Sequence, residues 1–122
     1  MIDNFRRFQT VDPFGRSWTI EYRWQQTAIS IRHSDTVDVK FELIGGEDVQ
    51  EKVIALSHPD LLGLSKKYDR PLTDPWCMKL AALHIKKMVE TDRDMEKTLV
   101  AVSLEELENY VQVLEQPAAA HR

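Results

Sequence analysis

The sequence predicts an α+β domain: an N-terminal antiparallel β-meander of four to five strands, with one face packed against two or three C-terminal helices. Apolar residues recur at every second position in the first half of the 122-residue chain, and at helical spacing behind capping residues in the second half. Turn-forming Asp, Pro and Gly separate the alternating runs. We therefore predict a single domain over residues 1–116 and a frayed C-terminal tail at 117–122.

The strands are predicted from period-two alternation, which is typical of a strand with one buried and one wet face. Five runs fit: FRRFQTV at 5–11, WTIEYRW at 18–24, AISIRH at 28–33, TVDVKFEL at 36–43 and EDVQEKVIAL at 47–56. Turn signals separate them: DPFG at 12–15, HSDT at 33–36 and GG at 45–46. The first suits a type I turn and the last a tight hairpin, so the runs are expected to pair antiparallel.

Helices are predicted from their capping residues. Ser57 can cap a first helix that has Pro59 in its first turn and runs to Tyr68. Asp74 can cap a second, central helix over residues 75–90, with proline at its first position. That helix is apolar around most of its circumference, which predicts that it lies on the sheet and is partly covered by the other helices.

Two further elements follow the central helix. EKTLVAV at 96–102 is a candidate strand that would join the edge of the sheet. Ser103 followed by Glu106 forms a capping box for a last helix, LEELENYVQVLEQ.

Composition limits the partners and the cellular compartment that we expect for this protein. The net charge of −4 makes nucleic acid an unlikely partner, because phosphate-binding surfaces carry a basic footprint. No apolar run approaches the roughly 20 residues that span a bilayer, and the N-terminus lacks the apolar run of a secretory signal. The single cysteine favours a reducing compartment. We therefore expect a cytoplasmic protein that does not bind membranes.

Cys77 and His84 are the residues of the central helix that most resemble catalytic groups. Both fall on its apolar arc, but seven residues of helix separate them by about 10.5 Å along the axis. A base must come within roughly 3 Å of the proton that it takes, so the two do not form a catalytic pair. We interpret both as core residues, Cys77 because free cysteine is commonly buried, and His84 as a neutral imidazole with one hydrogen bond.

An alternative interpretation is a small-ligand pocket or active site between the central helix and the sheet. It would be lined by His84, His33, Cys77, and Trp18 or Tyr22. No glycine-rich phosphate loop, serine-nucleophile motif, HExxH or paired CxxC is present, so we expect no cofactor, no metal and no catalytic residue.

The leading functional hypothesis is therefore a small non-enzymatic module that binds a partner protein or forms a homo-oligomer, such as a homodimer. An open meander leaves strand edges that must be covered, and self-association through an edge strand or the last helix would cover them. The alternative, a ligand-binding protein or enzyme with its pocket between helix and sheet, stays open.

Overall fold

The structure is a computed structural model that describes residues 4–28 and 35–116. One five-stranded sheet is covered on one face by three helices, which confirms the predicted α+β class. The elements are β1 (Arg7–Val11), β2 (Ser17–Ala28), β3 (Thr36–Gly45), β4 (Asp48–Ser57), α1 (His58–Tyr68), α2 (Asp74–Thr91), β5 (Leu99–Ala101) and α3 (Leu104–Leu114). The strand predicted at 28–33, the turn at 33–36 and the tail at 117–122 lie wholly or mostly outside the described residues.

The strand order is β1-β2-β3-β4-β5. The first four strands form the predicted antiparallel meander, and β5 adds to β4 in parallel after the chain has passed through α1 and α2. A parallel connection needs such a crossover, because the chain must return to the same end of the sheet. The late strand predicted at 96–102 is therefore confirmed over three of its residues.

The inner face of the sheet carries the apolar half of each alternating run. β3 alternates perfectly along its ten residues, with every second side chain buried beneath the helices. The fully buried side chains of the core include Ile20, Val39, Phe41, Leu43, Ile54, Leu56, Leu61, Leu80, Ile85, Met88 and Leu107. Sheet and helices thus share one continuous core.

A β-bulge interrupts the second strand. Tyr22 pairs with Phe41 and Trp24 pairs with Lys40, the next residue of β3. Two residues along β2 therefore correspond to one residue along β3, and the residue between Tyr22 and Trp24 has no partner in β3. Side chains directly opposite each other share a face, and Lys40 points away from the helices. Alternation in WTIEYRW predicts that Trp18, Ile20, Tyr22 and Trp24 share one face, and this prediction is wrong for Trp24, which lies on the outer face.

The helices begin close to their predicted caps. The Asp60 amide donates to the Ser57 hydroxyl at the start of α1, and the Glu106 amide donates to the Ser103 hydroxyl at the start of α3. For α2 the cap is Thr73, one residue earlier than predicted, because its hydroxyl accepts from the amide of Trp76 (3.3 Å). Asp74 is instead the first helical residue.

The helix α2 is the central one, as predicted. It packs on β1 to β4 with one side and on α3 with another, so side chains are buried around most of its circumference. The helix α1 packs on β4 and α3. The three helices therefore form a single layer over one face of the sheet.

Lys52 is the one buried lysine of the described chain, and it fixes the loop before β5. Its ammonium group donates to the carbonyls of Met95 and Lys97, both at 2.5 Å. Burial lowers the pKa of this lysine. The two carbonyls thus provide hydrogen-bond acceptors for a lysine whose side chain lies on the inner face of β4 together with Ile54 and Leu56.

Candidate interaction surface

Cys77 lies in the core of α2, as the sequence analysis predicted. Its side chain is buried, and burial together with the negative charge of Asp74 raises the pKa of the thiol to about 11. We expect Cys77 to be unreactive towards a thiol reagent between pH 5 and pH 9 until denaturant is added. Rapid labelling of the native protein would contradict its placement and would favour a catalytic role.

His84 is also buried, and it faces α3. Its Nδ1 lies 2.8 Å from the hydroxyl oxygen of Tyr110, and the two rings meet edge to face. The other ring nitrogen has no hydrogen-bond partner among the described residues. A single shared hydrogen bond is what the core interpretation predicted, although the partner is a helix residue.

The carboxylate of Glu106 lies beside the contact between His84 and Tyr110. Glu106 lies 3.9 Å from His84 and accepts a hydrogen bond from Arg93 (2.9 Å). Burial opposes ionisation of Glu106, but the hydrogen bonds from Arg93 and Ser103 hold its pKa below the ordinary value. Burial also lowers the pKa of His84 and raises that of Tyr110, so both stay neutral at neutral pH. The arrangement joins α2 to α3.

The structure separates the other predicted ligand-binding residues. Trp18 is buried near the β1–β2 turn, where its indole N–H donates to Asp12 (3.1 Å). Tyr22 is half-buried against Phe41. His33 lies outside the described residues. His84, Trp18 and Tyr22 thus have different neighbours, and a shared ligand site remains a prediction.

One small cleft does lie between the central helix and the sheet. It has a volume of about 40 Å³ and is lined by Arg6, Tyr22, Gln25, Asp74, Pro75 and Met78. Ligand pockets usually enclose roughly 300 Å³ or more. Of the predicted pocket residues only Tyr22 reaches this cleft, which is large enough for a few water molecules.

Charged side chains on the outer face of the sheet form ion pairs with one another. Arg7 pairs with Glu21, and Arg23 bridges Glu21 and Glu42 (2.6 Å to the latter). Lys40 pairs with Glu51 and lies over the ring of Trp24. Because its charges are paired within the chain, this face has the character of a solvated surface.

A groove between α1 and α3 has a different character. Its volume is about 260 Å³, and it is lined by Pro59, Asp60, Gly63, Leu64, Lys67, Leu104 and Glu108. Leu104 on one side is 52% exposed, and Leu62 on the opposite side of α1 is 40% exposed. An open groove with exposed leucines beside it is the kind of feature that protein-binding surfaces have.

Polar contacts close one end of this groove and leave the other open. Lys67 and Tyr68 at the carboxyl end of α1 bind Glu108 in the middle of α3, and Arg70 pairs with Glu115 just after α3. No such pair bridges the amino-terminal halves of α1 and α3 among the residues that the structure describes. The contacts also show that α1 and α3 run in the same direction.

The groove was not predicted from the sequence. Glycine weakens a helix, so Gly63 lowers the helix propensity of α1, but nothing in the pattern marks Leu62 or Leu104 as exposed. The signal that was present is the pair Leu62–Gly63 in the middle of a short helix, since neither residue is needed for the buried stripe formed by Leu61 and Leu64.

The described residues, 4–28 and 35–116, contain no group of three His, Cys, Asp or Glu side chains that could hold a metal ion. No helix among them is long and apolar enough to cross a membrane. Comparison of the chain with protein-family models, curated proteins and solved structures found no match.

Proposed function

We propose that this protein is a small non-enzymatic cytoplasmic module that binds protein through the groove between α1 and α3. The observation that carries the proposal is the groove itself, which is lined by both apolar and charged residues and includes Leu104, a large apolar side chain that is exposed to solvent; Leu62, on the opposite side of α1, is exposed as well. Covering them with protein would remove apolar surface from water, which is the main favourable term in association. The last helix was one of the two elements predicted to mediate self-association.

The state of the reactive side chains supports a role without catalysis. Cys77 and His84 are buried, and their pKa shifts favour the neutral forms. A nucleophile or base must reach its substrate, whereas Cys77 is packed in the apolar core and His84 is enclosed between α2 and α3 against Tyr110. The unpaired buried thiol also suits a reducing compartment, which supports the cytoplasmic assignment.

Site-specific photo-crosslinking tests the proposal. A photoreactive amino acid at Leu104 is expected to give a covalent protein adduct in cells that express the chain. The matched control is Val49, an apolar side chain with 58% exposure on the outer face of the sheet. Equal adduct formation at both positions, or none at Leu104, would count against the groove as a binding surface.

A further inference from the structure

We propose that this chain forms a homodimer in which β5 of one copy pairs antiparallel with β5 of a second copy, about a twofold axis at Val100. The pairing joins the two five-stranded sheets into one, with the helices of both copies on the same face. The edge of β5 is separate from the groove between α1 and α3, so this pairing goes beyond the proposed function. An edge strand was the other element predicted to mediate self-association.

The strand β5 is the last strand of the sheet, and half of its backbone groups face away from β4. The amide of Val53 donates to the carbonyl of Thr98 (2.7 Å), and the amide of Val102 donates back to β4 (3.2 Å). Backbone groups point to alternate sides along a strand. The amides and carbonyls of Leu99 and Ala101 therefore point outward, to the edge of the sheet.

The residues on either side of β5 limit the length of this edge. The amide of Lys97 donates to the carbonyl of Asp94 (3.0 Å), and the carbonyl of Lys97 accepts from Lys52. The carbonyl of Ser103 accepts the first hydrogen bond of α3. An incoming strand therefore meets two residues, between Lys97 and Ser103, whose amide and carbonyl both point outward.

A second copy of the chain matches this short edge completely. With Leu99 opposite Ala101 of the other copy, the amide of each residue faces the carbonyl of its partner, and the two pairs form four hydrogen bonds. A register shifted by two residues would place Lys97 or Ser103 opposite, and their carbonyls already accept hydrogen bonds within the chain. A longer strand from another protein would extend past both ends of the edge and find no matching groups there.

The side chains that would meet are apolar and complementary in size. Leu99 is 61% exposed and Ala101 is also exposed, both on the outer face, since Val100 between them is buried. Leu99 of each copy would pack against the smaller Ala101 of the other, which removes its apolar surface from water. Residues 98–102 contain neither charge nor proline, which commonly protect an edge strand from pairing, whereas β1 at the other edge begins with the exposed Arg7.

Sedimentation velocity on the full chain between about 1 µM and 1 mM tests the dimer. The wild-type protein is expected to pass from monomer to dimer over this range, because a short edge gives a weak interface. Ala101→Pro removes an amide that points away from β4, so it takes two hydrogen bonds from the dimer and none from the fold. We expect this variant to weaken the dimer about tenfold or more.

Two lysine variants give a second test that does not depend on proline. Leu99→Lys places a charge beside the axis in each copy, and it should also weaken the dimer about tenfold or more. The matched control is Val49→Lys, which makes the same change at an exposed position of β4 beyond the end of β5 and should leave the dimer affinity unchanged. Urea midpoints of the dilute variants, close to that of the wild type, show that the fold is intact.

Cysteine crosslinking tests the register. A mixture of Leu99→Cys and Ala101→Cys proteins should form a disulfide-linked dimer with one copy of each, because hydrogen-bonded partners in antiparallel strands have Cα atoms about 5.5 Å apart. Either variant oxidised alone should crosslink far less, since equivalent residues are diagonal neighbours about 7–8 Å apart. The native Cys77 is buried and is not expected to react.

Three results would contradict the pairing. A wild-type protein that stays monomeric up to about 1 mM overturns it. A dimer whose affinity neither Ala101→Pro nor Leu99→Lys changes uses another surface, and this overturns it as well. Crosslinking of either cysteine variant alone, to the extent seen in the mixture, would exclude the axis at Val100. The Leu104 adduct is independent of all three, so the groove and the edge of β5 can fail separately.

Discussion

Replacing Trp18 by alanine is expected to lower the free energy of unfolding by about 3–5 kcal/mol. The ring is 5% exposed and packs so closely that a Cβ at Gly45 would lie 2.8 Å from it. Its N–H donates to Asp12, and the Arg16 guanidinium lies over the ring at 4.6 Å. Removing it leaves a cavity and takes a hydrogen-bond donor from Asp12. Urea denaturation followed by circular dichroism measures the loss.

Trp24 on the same strand is the matched control. It is 40% exposed on the outer face, where it lies over Lys40. Trp24→Ala is therefore expected to cost clearly less than Trp18→Ala, about 1–2 kcal/mol, since the side chain is partly in water already and its removal leaves no cavity in the core. Equal losses for the two tryptophans would mean that both face the core, and the bulge between Tyr22 and Trp24 would then be wrong.

The two tryptophans also show why the fold could be predicted further than its details. Alternation in WTIEYRW continues unbroken through Trp24, so the pattern predicts a strand with one aromatic face. The bulge inserts one residue against β3 and moves every later side chain to the opposite face. Pairing with another strand decides that shift, and the pattern within a single strand does not contain it.

The helices were predictable because the signals that start them are local in the sequence. Caps at Ser57 and Ser103 are contacts within four residues, and the alternative cap at α2 differs by only one position. The groove, in contrast, depends on how α1 packs beside a helix some forty residues later. Its lining residues have no shared local pattern. The central helix is therefore predictable from its own residues, whereas the surface that the other two helices form together is not.

His84→Ala is expected to lower the free energy of unfolding by about 2–4 kcal/mol, because it removes a fully buried ring and leaves the Tyr110 hydroxyl without its partner. His84→Leu combined with Tyr110→Phe removes both polar partners and stays close to the original volume, so it should cost far less. Chemical denaturation of the three proteins measures the difference. If His84 instead lines a ligand site, His84→Ala would leave stability within about 0.5 kcal/mol of wild type and reduce ligand binding.

The same histidine predicts how stability depends on pH. Burial holds the pKa of His84 below its ordinary value of 6.5, against the opposing charge of Glu106. Lys87 on α2 and Arg93 in the following loop also disfavour the imidazolium, Asp94 acts with Glu106, and the neutral Tyr110 hydroxyl shares the Nδ1 hydrogen bond.

Below pH 6.5 the unfolded chain binds a proton at this position that the folded chain does not bind until a lower pH. The contribution of His84 to the free energy of unfolding is therefore fully present above pH 6.5. It decreases as the pH falls towards the pKa of His84 in the folded chain, with a slope of at most about 1.4 kcal/mol per pH unit. His84→Gln cannot titrate and should lose this part of the slope. Urea midpoints of wild type and His84→Gln between pH 7.5 and pH 5, above the titration of most carboxylates, test this expectation. Parallel curves would show that His84 takes up its proton equally well in both states, which is incompatible with a buried imidazole between α2 and α3.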